Sequence, residues 1–86
     1  MNDDEVRTQV RRLVARLAPE PGVDPVSSDA LRDGLGFDSL TLIGLALSIK
    51  KQFGVDVRGD ARAVDVVTVG DVEDLVVSAL AGLRTE

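Results

Sequence analysis

Two apolar series in this chain run at helical spacing without interruption. Val6, Val10, Leu13, Val14 and Leu17 recur at i, i+4, i+7, i+8 and i+11, which gathers them on one face of a helix. Near the other end, Val72, Leu75, Val76, Ala79, Leu80 and Leu83 repeat the scheme. Asp3, Asp4 and Glu5 open the first helix at the positive end of its dipole, and Pro19 and Pro21-Gly22 stop it. Arg7, Arg11, Arg12 and Arg16 fall off the apolar face and read as a solvated surface, with Asp3 and Arg7 in the favourable acid-to-base order. Thr68, with Asp71 three residues on, predicts an N-cap close to a capping box. Asp71, Glu73 and Asp74 load the N-terminal turns of that last helix, and Arg84 its end.

The middle of the chain is patterned differently. From Ser39 to Phe53 the run is apolar on two sides. At about 100° per residue, Leu42, Leu45, Ala46, Ile49 and Phe53 form one stripe. Leu40, Ile43, Gly44 and Leu47 form another, roughly 150° away, continued by Lys50 and Lys51. Thr41, Ser48 and Gln52 are the polar strip between them. One stripe serves a core; the second is either covered by the loop or a later helix, or meets other proteins. Gly54 ends the helix. Residues 55–60 alternate like a strand but have no partner strand, so they read as an extended connector with Val55 and Val57 inward. Ala61 to Val66 is expected to form a short helix. Residues 19–38 hold three Pro and three Gly, so they form a long connection, with one helical turn over Ser28 to Arg32 and with Val23, Val26, Leu31 and Leu35 as inward anchors. Such a length favours a functional loop.

These elements sum to an all-α four-helix bundle, three long helices and one short, with the long loop between the first two. Eighty-six residues suffice for one domain, residues 1–86, of modest stability. The chain opens on an acidic stretch after Met1 and ends shortly after its last helix, which reads as a free-standing cytoplasmic protein without a signal peptide. Composition narrows the chemistry. There is no Cys, no His, no Tyr and no Trp, so thiolate metal sites and the commonest general base are absent. No convergent catalytic set can be assembled, and neither an enzyme nor a metal site is expected. A net charge of −5 argues against nucleic acid and anionic membranes as partners.

The junction Leu35-Gly36-Phe37-Asp38-Ser39-Leu40 carries the remaining chemistry. It resembles the phosphopantetheine attachment motif of acyl carrier proteins, and nearly the whole chain follows that family's order of helix, long loop, Asp-Ser-Leu, apolar helix ending in Phe, short helix and a capped helix opening with Thr-Val. The resemblance implies a discrete carrier. A phosphopantetheinyl transferase would use coenzyme A to attach 4′-phosphopantetheine to the Ser39 hydroxyl. The arm's thiol would hold acyl groups as thioesters between an acyltransferase, a ketosynthase or other acyl-processing enzymes. Ser39 has no His to activate it, so it reads as a handle modified by another enzyme. By the same resemblance Asp38 would orient the transferase's metal and substrate, although a plain N-cap role would also explain it. Leu40 would touch the modifying enzyme. A monomer is expected.

The chain departs from the family pattern in one respect. Many fatty-acid carriers bear acids on the second helix that meet basic patches on partners; here no acid occurs from Ser39 to Gln52. Leu40, Ile43, Gly44, Leu47 and Lys51 are therefore expected to form a more apolar docking surface, suited to a dedicated, polyketide-type pathway. Gly44 lowers helix stability by roughly 1 kcal/mol relative to Ala, so a partner or the arm should approach closely there. A peptidyl or aminoacyl carrier is the near alternative, although Gly36-Phe37 leans toward acyl. A cofactor-free helical interaction module is the alternative from another class.

Overall fold

The computed structural model describes residues 2–84, and of Ala61, Arg62, Leu83 and Arg84 the backbone only. Leu83 in the last apolar series and Arg84 at its end thus lie outside the described side chains. Three helices form the body: α1 (Asp3–Leu17), α2 (Ser39–Phe53) and α3 (Val69–Arg84). Two 3-10 turns, Val57–Gly59 and Ala61–Asp65, stand between α2 and α3. The expected short helix over Ala61 to Val66 is the second of these turns. Among the described residues there is no strand, only an isolated bridge between Ala30 and Thr68. No helix among them is long and apolar enough to cross a membrane.

The core follows the apolar series. Val6, Val10, Leu13 and Val14 of α1, Leu45 and Ile49 of α2, and Val69, Val72, Leu75 and Val76 of α3 are buried together. Val55 and Val57 point in, as the connector reading requires, and the loop adds Leu31 and Phe37. Local chemistry sets the ends. Asn2 caps α1 by accepting from Glu5 N–H at 2.8 Å. Gly54 closes α2 in the left-handed conformation. Thr68 and Asp71 cap α3 reciprocally: Asp71 N–H donates to Thr68 Oγ1 at 3.1 Å, and Thr68 N–H donates to Asp71 Oδ2 at 2.9 Å. The Thr68 N–H, and after it the Val67 N–H that donates to the same oxygen at 2.9 Å, hold the Asp71 carboxyl below its ordinary pKa.

The long loop is laid across the start of α3. Leu31 N–H donates to Val67 O, Val69 N–H to Asp29 O, and Gly70 N–H to Ser27 O, at 2.8 to 2.9 Å. The last two donors are among the orphan amides of a helix N-terminus, so the loop satisfies what the helix cannot. The expected helical turn over Ser28 to Arg32 does not form, because Asp29 O and Leu31 N–H are spent on this pairing. The turn comes later, over Leu31 to Leu35, where both Gly34 and Leu35 amides donate to Ala30 O. A Cβ on Gly34 would stand 2.7 Å from that oxygen. Val26, expected inward, is 54% exposed, and Pro25 is buried instead.

The electrostatics correct the expectation most. Glu73, assigned from sequence to dipole compensation, is 1% exposed. Arg11 and Arg7 Nη1 donate to its Oε1 at 3.2 and 3.4 Å, and Ser27 Oγ donates to its Oε2 at 2.7 Å. Arg7 also pairs with Asp74 at 2.8 Å. Two of the four arginines read as solvated are thus half-buried ties between α1 and α3. A buried carboxylate is tolerable only with such partners.

Candidate functional site

Ser39 is the first residue of α2 and is exposed. Its position follows from three local features. Phe37 is buried and its N–H donates to Leu31 O at 2.9 Å, which pins the chain just before the helix. Gly36 has φ +75°, a backbone region that costs other residues roughly 1–2 kcal/mol, and turns the chain into that anchor. Asp38 is the N-cap: its Oδ1 accepts from both Thr41 N–H and Thr41 Oγ1 at 2.8 Å. These two bonds, the backbone one first, hold the Asp38 carboxyl below its ordinary pKa. The capping role weighed from sequence is therefore present in the structure.

One neighbour was not legible in the sequence. Arg32 Nη2 donates to Ser39 Oγ at 3.2 Å. The turn over Leu31 to Leu35 and the Phe37 anchor bring residue 32 back beside residue 39. No periodic spacing relates two residues across an irregular loop, so only the traced loop reveals the contact. Among the described residues, no side chain accepts the Ser39 hydroxyl proton. Asp38, its sequence neighbour, is committed to Thr41. The hydroxyl sits beside a cation and a helix N-terminus without a base, an arrangement that suits a bound anion and does not generate a nucleophile.

The site fits comparison with known proteins. The family model for the phosphopantetheine attachment site matches residues 8–76. Over 81 residues the chain is 31% identical to "Acyl carrier protein 3" of Ralstonia nicotianae, an alignment covering 94% of this chain and 92% of that protein. The chain belongs to the acyl carrier protein family. Its cofactor is accordingly 4′-phosphopantetheine, held covalently, and its role is that of a carrier.

The carrier's second helix divides as its two stripes predict. Leu45 and Ile49 are buried, and Leu42, Ala46 and Phe53 pack on the core. Leu40, Ile43 and Leu47 are 77%, 51% and 47% exposed. The loop and α3 leave that stripe uncovered. Gly44 lies within it, and a Cβ there would meet nothing within 4 Å. Lys50 Nζ lies 3.7 Å from Asp56 Oδ2, and Arg58 grips Asp56 through two bonds of 3.0 and 3.1 Å. The Arg58 bonds foremost bring Asp56 down to a pKa of about 2.

Between α2, α3 and the 3-10 turns runs a cleft of about 270 Å³. Leu42, Ile43, Ala46, Ile49, Val66 and Leu75 line most of it, and among the described residues Arg58 is its one charged lining residue. Val64 and Val67, at 85% and 61% exposure, add apolar surface that the sequence reading did not single out.

Proposed function

We propose that Ser39 is the attachment atom of the 4′-phosphopantetheine arm, and that this chain serves as a single-domain acyl carrier in a dedicated, polyketide-type pathway. The observation that carries the first part is the exposed Ser39 hydroxyl at the start of α2 with the Arg32 guanidinium 3.2 Å away. The residues fit the group. The hydroxyl is open to a modifying enzyme. A phosphodiester formed there would face the Arg32 cation and the free N–H end of α2. When bound, the arm supplies a terminal thiol that takes acyl groups as thioesters, and the chain has no cysteine to compete for them.

A phosphopantetheinyl transferase supplies the base that Ser39 lacks, with coenzyme A as donor: Ser39 Oγ gives its proton to that base and bonds to the pantetheine-side phosphorus, the pyrophosphate P–O bond breaks, and 3′,5′-ADP leaves. Asp38 keeps α2 capped and, by family resemblance, faces the transferase's metal. Leu40, exposed one residue on, meets the transferase and then the acyl-processing partners, an acyltransferase or ketosynthase among them. The pathway reading rests on α2: a helix with no acid in its first turn and two lysines in its last is ill suited to the basic patches of general fatty-acid enzymes.

Incubation with coenzyme A and a promiscuous transferase, followed by intact-mass measurement, tests the attachment. A gain of one phosphopantetheine in the wild type and none in Ser39→Ala is expected. No gain in the wild type, or a gain kept by Ser39→Ala, overturns it.

A further inference from the structure

We infer that the partner docking on α2 of this carrier presents an apolar ridge bordered by carboxylates, and that Gly44 is the notch where that ridge meets the helix backbone; this rests on α2 being the docking helix beside the Ser39 arm. Three observations carry the inference. First, Leu40, Ile43 and Leu47 form an exposed apolar strip on one helix face, uncovered by the chain's own loop. Isolated exposed apolar residues are ordinary, whereas three in register on one face suit an interface.

Second, the charge of this face opposes that of the molecule. The chain carries −5 overall, yet no acid lies between Ser39 and Gln52. Lys50 and Lys51 flank the strip, at about 60° and 40° from Leu47 around the helix. Lys50 shares Asp56 with Arg58, leaving two cations to one carboxylate. Lys51 is exposed and pairs with no carboxylate among the described residues. Two lysines at the C-terminal end of an apolar strip are complementary to carboxylates at the matching end of the partner's ridge, and they repel basic groups there.

Third, Gly44 serves no purpose within the fold. Its φ is not positive, and a Cβ there would point into open space. Within a helix the residue is less favourable than Ala. The groove it leaves, bordered at i−4 by Leu40, at i+3 by Leu47 and at i+7 by Lys51, lets a partner side chain reach the helix backbone.

The test uses a phosphopantetheinyl transferase with a basic carrier-facing surface and the same enzyme with that surface reversed to Glu. The full chain should show a KM roughly 3- to 10-fold lower with the reversed enzyme at low salt, the scale of exposed charge pairs, and the difference should collapse near 0.5 M salt. Lys50→Glu/Lys51→Glu should invert the preference. Gly44→Ala should raise KM for the preferred enzyme while raising the melting temperature. Equal KM values, or preference for the basic enzyme, overturn the acidic-partner assignment. An unchanged KM in Gly44→Ala overturns the notch. Absence of any mass gain with both enzymes overturns instead the attachment reading beneath it, so the two failures are distinct.

Discussion

Replacing Glu73 by Ala perturbs the one buried charged side chain among the described residues and the loop that leads to Ser39. Glu73 accepts three hydrogen bonds, from Arg7, Arg11 and Ser27. Breaking a fully buried ion pair costs about 3–5 kcal/mol, because an uncompensated charge stays behind. Here the arginine side chains are 34% and 33% exposed, so they regain water when the carboxylate is gone, which moderates the loss. The 2.7 Å bond from Ser27 is charge-assisted and is worth about 1.5–3 kcal/mol. The terms are not additive, and a net loss of about 3 kcal/mol is expected. At about 4–8 °C per kcal/mol for a domain of this size, the melting temperature should fall by about 12–24 °C. Glu73→Gln keeps the shape and an acceptor for Arg11, and Ser27 can turn to accept from the amide; it should cost about half as much. Thermal and urea unfolding followed by circular dichroism read both, with coincident transitions as the check on two-state behaviour. Amide exchange gives an independent readout. Val69 and Gly70 N–H donate only to the loop carbonyls of Asp29 and Ser27, so their protection reports loop docking. It should drop in Glu73→Ala more than protection in mid-α1. Losses under 0.5 kcal/mol in both variants, or unchanged exchange at Val69 and Gly70, would refute the tie.

Further expectations follow from the caps, the glycines and the loop anchor. Asp38, Asp56 and Asp71 all have depressed folded pKa values; their stabilisation is full above the unfolded value of about 3.9 and is lost as pH falls through the folded ones, so the melting temperature should decline from about pH 4 toward pH 2. Asp38→Asn/Asp56→Asn/Asp71→Asn should flatten that decline, and an unaltered acid limb would count against it. Gly44→Ala should stabilise by about 0.5–1 kcal/mol, since the methyl meets nothing; a destabilised variant would show a contact there. Gly36→Ala should lose about 1–2 kcal/mol from its positive φ and slow modification at Ser39, measured by unfolding and by intact mass over time. Leu31→Ala should cost about 2–5 kcal/mol, because that loop residue is as buried as the helix core.

Much of this carrier was legible in the sequence because it rests on contacts a few residues apart. The apolar faces of α1 and α3, the two stripes of α2, the Thr68–Asp71 cap, Gly54 and the Asp38-Ser39-Leu40 junction all depend on helical periodicity and capping, which bind i to i+3 or i+4. The tertiary structure alone decided what the long loop does. Its backbone pairs with the amides and carbonyls around the start of α3, which displaced the expected turn at Ser28 to Arg32 and left Val26 outside. That same path set Ser27 against Glu73 and Arg32 against Ser39, over separations of 46 and 7 residues. A glutamate in the second turn of a helix reads equally well as a dipole partner or as a buried tie. Only the elements packed above it distinguish the two, because burial is a property of neighbours and not of residue type.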